Sequence, residues 1–163
     1  MITYEDLLIE ADDNNLITKE KPLRAHKGRI KGNRIAINKN LTETEKKCVM
    51  AEELGHYYTG VGDILDQTSV ANRKQELHGR IYAYNRLIGL KGIVEACKHH
   101  CTTLSETAEF LDVTVEFLAN TITHYKNKYG TYTKAEGYII VFEPSLYVLE
   151  PQTTHPFTFD QQV

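Results

Sequence analysis

The sequence has no tryptophan, only four prolines and three cysteines, and no apolar run approaching the roughly 18 residues that a membrane helix requires. Cys48, Cys97 and Cys101 are an odd number, which suits reduced thiols better than a disulfide framework. Net charge is also small. Nineteen Lys and Arg against 22 Asp and Glu give −3, which argues against nucleic-acid binding spread over the whole surface and leaves room only for a local patch. The opening Met1-Ile2-Thr3-Tyr4-Glu5-Asp6 lacks the basic and apolar regions of a secretion signal, so a cytoplasmic protein without membrane association is expected. There is no glycine-rich phosphate loop, no serine nucleophile elbow, no internal repeat and no low-complexity tract. What remains is ordinary soluble composition, 41% hydrophobic and 25% charged over 163 residues, with ten Tyr and five Phe as the bulky core packers. That length suits one domain, or one domain with a small appendage.

Thr3-Tyr4-Glu5-Asp6 reads as a helix N-cap with an acid three residues on, and Leu7, Leu8 and Ala11 form a short apolar stripe ending at Asp12-Asp13-Asn14-Asn15. From Lys21 to Asn40 short strand-like stretches alternate with Gly28, Gly32 and Asn33, which predicts a β-hairpin of two or three strands. This span carries Lys21, Arg24, Lys27, Arg29, Lys31, Arg34 and Lys39 with no acid among them. A polyanion or acidic-peptide contact is one reading. The plainer one, lysines guarding a sheet edge, is preferred from the sequence. Thr42-Glu43-Thr44-Glu45 is a capping box that starts a helix reaching about Tyr58, and a partner helix is predicted from Val70 to Leu87. After a turn at Gly89-Leu90-Lys91-Gly92 come a short helix, a second capping box at Thr103-Leu104-Ser105-Glu106, and two helices with a tight turn near Asp112 that resemble a helix-turn-helix. Tyr138 to Phe142 and Leu146 to Leu149 predict a C-terminal hairpin, and residues 151–163 read as a flexible tail. The expected class is α+β: a helix pair beside a small sheet over 1–100, then the helix-turn-helix-like helices and C-terminal strands over 101–150 packed on it.

Chemistry concentrates in Cys48-Val49-Met50-Ala51-Glu52-Glu53-Leu54-Gly55-His56-Tyr57-Tyr58. On a helix, Glu52 and His56 stack one turn apart on one face, while Glu53 sits about 100° round the axis, within reach of a water held between them. In the H-E-x-x-H pattern two histidines bind Zn²⁺ and the intervening Glu takes a proton from the metal-bound water. Here Glu52 stands in the first histidine position. A carboxylate binds zinc at nearly the imidazole distance, but as a harder, anionic donor it also suits Mn²⁺.

Leu41 to Thr59 with Gly62-Asp63-Ile64, then Arg73 to Tyr84, then Glu106 to Gly130, resemble the ImmA/IrrE family of metallo-endopeptidases, in the version carried by prophages and mobile elements of Gram-positive bacteria. The resemblance covers roughly residues 1 to 150. It implies a zincin-like fold, a divalent metal (Zn or Mn), and cleavage or inactivation of a helix-turn-helix repressor protein. Residue by residue it implies His56 as the second motif ligand, Glu53 as general base and Glu52 at the family's first histidine. For the third ligand it offers Glu76 or His78, with Glu76 favoured; two positions apart on a helix they cannot both face one metal. A site of Glu52, His56 and Glu76 brings two negative charges to the ion and lowers its Lewis acidity. The alternative is therefore a non-catalytic anti-repressor or protein-binding regulator that keeps the fold. Asp63 and Asp66 read as turn and cap residues, or else as groups orienting His56.

Cys97-Lys98-His99-His100-Cys101 lacks the second ligand pair of a structural zinc site and reads as buried thiols with surface histidines. A Cys48/His56 dyad is ruled out by the roughly 12 Å between residues eight apart on a helix. The helix-turn-helix-like segment carries Glu106, Glu109, Asp112 and Glu116 round its turn, so direct DNA binding is not expected and a core-building or protein-docking role is.

Overall fold

The computed structural model describes residues 1–60 and 69–150; the tail at 151–163 and the Asp63 and Asp66 readings lie outside the described residues. Helix α1 (Tyr4–Asp13) begins where Thr3 and Asp6 satisfy each other's backbone N–H groups. Asn15, at φ +57°, then turns the chain into β1 (Ile17–Lys21), followed by β2 (Gly28–Lys31) and β3 (Arg34–Asn38). The expected hairpin forms as β2–β3, but the third strand, β1, lies before the basic span except for Lys21 and pairs parallel to β3, giving the order β1-β3-β2. A parallel partner is set by where α1 delivers the chain, which no local pattern encodes.

Helix α2 (Glu43–Tyr58) starts at the reciprocal Thr42/Glu45 cap and is followed by α3 (Ser69–Leu87), α4 (Gly89–Lys98), α5 (Leu104–Phe110) and α6 (Val115–Tyr129). Thr103 with Glu106 caps α5, and the Thr114 hydroxyl caps α6. Between those two helices Asp112 takes φ +50°. C-terminally, β5 (Tyr138–Val141) and β6 (Tyr147–Leu149) form the expected hairpin, and β4 (Tyr132–Ala135) adds a third antiparallel strand in front of it. The added turn is Glu136-Gly137, both at positive φ, the two-residue geometry that matches strand twist.

Leu7, Ile35, Ile37, Met50, Leu54, Leu118, Tyr125 and Ile140 are fully buried, so the helices, the inner face of β3 and the C-terminal strands contribute to one apolar cluster. The Tyr125 hydroxyl donates to Asn85 Oδ1 at 2.9 Å, tying α6 to α3. Lys47, 1% exposed, bonds Asp112 Oδ2 at 2.6 Å and so fastens α2 to the α5–α6 turn. The Cys97–Cys101 reading is corrected in part. Cys48 is buried, but Cys97 is exposed and Cys101 half-buried, because α4 ends at Lys98 and His100, at φ +60°, reverses the chain there.

Candidate metal centre

Helices α2 and α3 meet through glycine. A Cβ on Gly55 would run into the backbone of Gly79, and a Cβ on Gly79 would sit 2.5 Å from Cε1 and Nδ1 of His56. Gly inside a helix costs about 1 kcal/mol relative to Ala; here it lets α3 approach until it touches the motif histidine. On the other side Gly28 performs the same service for β2, since a Cβ there would collide with Val49 and meet Glu53 Oε1.

The result is a cleft of about 910 Å³ over the exposed end of this packing. Glu52, Glu53 and His56 from α2, Glu76, Arg80 and Tyr84 from α3, Lys27 and Arg29 beside and on β2, and Glu116, Phe117 and Asn120 from α6 all line it. His56 is 9% exposed and Glu53 8%. His56 Nε2 lies 3.4 Å from Glu76 Oε2, and the other oxygen of Glu76 is held by Arg80 at 3.0 Å. Glu76 therefore faces His56, whereas His78 is exposed and is not part of the cleft wall.

Burial, reinforced by the negative charges around them, pushes both motif carboxyls up. Glu53 reaches about 8, through desolvation first and then Glu52 and Glu76, against the Ile30 backbone N–H that bonds its carboxylate. Glu52 reaches about 7, again through desolvation, with Arg80 opposing and Glu76 adding. His56 is pushed down by burial, which Glu76 partly offsets, so the neutral, ligand-competent imidazole is favoured. Its Nδ1 has no hydrogen-bond partner among the described residues.

A buried carboxyl and a half-buried one, both short of compensating charge, and a neutral imidazole aimed at a third, are a donor set whose chemistry fits a divalent cation. The convergence is incomplete, since among the described residues no three His, Cys, Asp or Glu side chains close on one point. The family described as the IrrE N-terminal-like domain of peptidase M78 matches residues 7–123. The chain belongs to this family. Its fold is accordingly metallopeptidase-like, the matched span holds every residue of the candidate centre, and a divalent metal is what M78 membership implies. No curated protein matches the chain.

Three parts of the site were not singled out from the sequence. Arg80 had a signal, lying four residues after Glu76 on the same helix. Gly55 and Gly79 had one too, as isolated glycines inside helical patterns. The wall from α6 had none, being brought in by tertiary packing.

Proposed function

We propose that this M78 protein is a metal-dependent endopeptidase that cleaves or inactivates a helix-turn-helix repressor of a phage or mobile element. The observation that carries the reading is Glu53, nine-tenths buried beside the His56–Glu76 pair yet opening onto a cleft large enough for a peptide segment. His56, Glu76 and Glu52 would hold the ion, zinc or manganese, whose contribution when bound is the Lewis acidity that activates water at neutral pH. Glu53 carries the proton traffic: its carboxylate accepts a proton from water and returns it to the leaving amine, and its elevated pKa suits both halves of that task. The Ile30 N–H orients that carboxylate from β2. The three free cysteines suit a reducing cytoplasm.

The test is incubation of the purified protein with Zn²⁺ or Mn²⁺ and a candidate repressor. Discrete fragments are expected, and E53Q should lower their rate by about 10²–10⁴-fold while leaving metal affinity unchanged. A second reading, an anti-repressor that acts by binding alone, is favoured by one observation: Arg80 already engages Glu76 at 3.0 Å. It would show as repressor binding without fragments, indifferent to E53Q.

A further inference from the structure

Strand alternation divides the side chains of the β1-β3-β2 sheet into two sets. Ile35 and Ile37 face the helices, as does Glu20, which accepts from the Tyr4 hydroxyl and pairs with Lys46. The register sets the opposite side chains in cross-strand rows: Ile17, Arg34 and Lys31, then Lys19, Ala36 and Arg29, then Lys21 and Asn38. Lys19, Lys21, Arg29, Lys31 and Arg34 thus share one exposed face that carries no acid, and none of the five forms an ion pair among the described residues. This concentration occurs on a chain whose net charge is −3.

Edge protection does not account for all of it. Lys19, Lys21, Arg29 and Lys31 stand on the edge strands β1 and β2, where a charge also blocks pairing, but Arg34 belongs to the central strand, where there is no edge to guard, and all five side chains share one face. The face has no aromatic residue, so it offers no platform on which unpaired bases could stack. Of the residues on this face only Arg29 lines the cleft. On the central strand Ala36 is a low floor between Lys19 and Arg29 on the two outer strands, which stand about 10 Å apart at two strand spacings, while Arg34 rises from the same strand and Asn38 is held by the Leu23 carbonyl. A trough of that width with cationic banks suits one sugar-phosphate backbone, a contact that needs charge and no base recognition.

We propose that this sheet face binds the phosphate backbone of double-stranded nucleic acid without sequence selectivity. The expectation against DNA contact rests on net charge and on the acidic α5–α6 turn, and neither bears on this face. The proposal is independent of proteolysis, and its test needs neither metal nor repressor.

Fluorescence anisotropy with a labelled duplex of about 20 base pairs, in about 50 mM salt, should show saturable binding of metal-free protein. Its logarithm should fall against log salt with a slope of about −3 to −4, as for four phosphate contacts. A duplex of scrambled sequence should bind equally. K19E/K31E should weaken binding at least tenfold, K19Q/K31Q by a smaller factor, and K91E on α4 should change nothing, with thermal unfolding of each variant confirming the fold. The proposal is overturned by absence of binding at that salt, by equal loss in K91E, or by tighter binding of the single strand. It is equally overturned if phosphatidylserine vesicles or polyglutamate bind as tightly as the duplex.

Discussion

The imidazole of His56 rests against the Cα of Gly79, so closely that a methyl group on Gly79 would overlap Cε1 and Nδ1 of the ring. This contact joins a backbone requirement on α3 to the orientation of the motif histidine on α2. G79A should therefore act twice. Overpacking should lower stability by about 1–3 kcal/mol, read as a lower melting temperature, and the displaced ring should weaken metal binding. A variant with unchanged melting temperature and unchanged metal affinity would show that α3 does not set the ring.

Metal-free protein should lose stability as pH rises from 6.5 to 8. Glu53 and Glu52 have native pKa values raised to about 8 and about 7, so in this window the folded state binds more protons than the unfolded chain. The slope is at most about 1.4 kcal/mol per pH unit for each group, and less for Glu52, which is part exposed. His56, held neutral by burial, contributes the opposite slope, but only below its ordinary value near 6.5. Thermal unfolding in chelator across this range checks the sign, and E53Q should flatten the profile. Stability that rises from pH 6.5 to 8 would contradict the burial argument.

Arg80 and a divalent cation compete for the same carboxylate. With Glu76 Oε1 held at 3.0 Å in a half-exposed ion pair, R80Q should release that oxygen and tighten metal binding about two- to fivefold, the worth of such a pair. Competition against a fluorescent chelator measures this. Weaker binding would mean that Arg80 positions Glu76 for the ion.

E52H replaces a half-buried carboxyl by the imidazole found in the H-E-x-x-H pattern. It should shift preference from manganese toward zinc, because imidazole is the softer donor and one negative charge leaves the site. Titration with both metals decides, and an unchanged preference would remove Glu52 from the ligand set.

Lys47 is almost wholly buried, and Asp112 is its single acidic partner among the described residues. Asp112 is held below the ordinary carboxylate range: burial acts upward on it, and the bonds from Lys47 and Thr44 outweigh that. D112N keeps the left-handed turn but strands the ammonium, at a cost of about 2–3 kcal/mol, reduced from a fully buried pair because Asp112 is half exposed. K47M/D112N should recover much of that loss in a double-mutant cycle, and a double variant as unstable as the sum of the singles would deny the coupling.

What short-range physics controls is legible along the chain. The Thr3/Asp6, Thr42/Glu45 and Thr103/Glu106 caps lie within three residues, and helical periodicity alone places Glu52 and His56 on one face with Glu53 beside them. The β2–β3 and β5–β6 hairpins were legible in the same way, from alternation and turn residues. Tertiary structure decided what depends on how elements cross. Glu76, favoured along the sequence, and His78 remain open choices on α3 until the Gly55–Gly79 contact fixes its rotation and turns Glu76 toward His56. The parallel docking of β1, the cleft wall from α6 and the grip of Lys47 on Asp112 join segments 15 to 90 residues apart, where no local pattern reaches. The raised pKa values of Glu52 and Glu53 belong with these. Sequence supplied the carboxyls, but only packing removes the water that would have kept them ordinary.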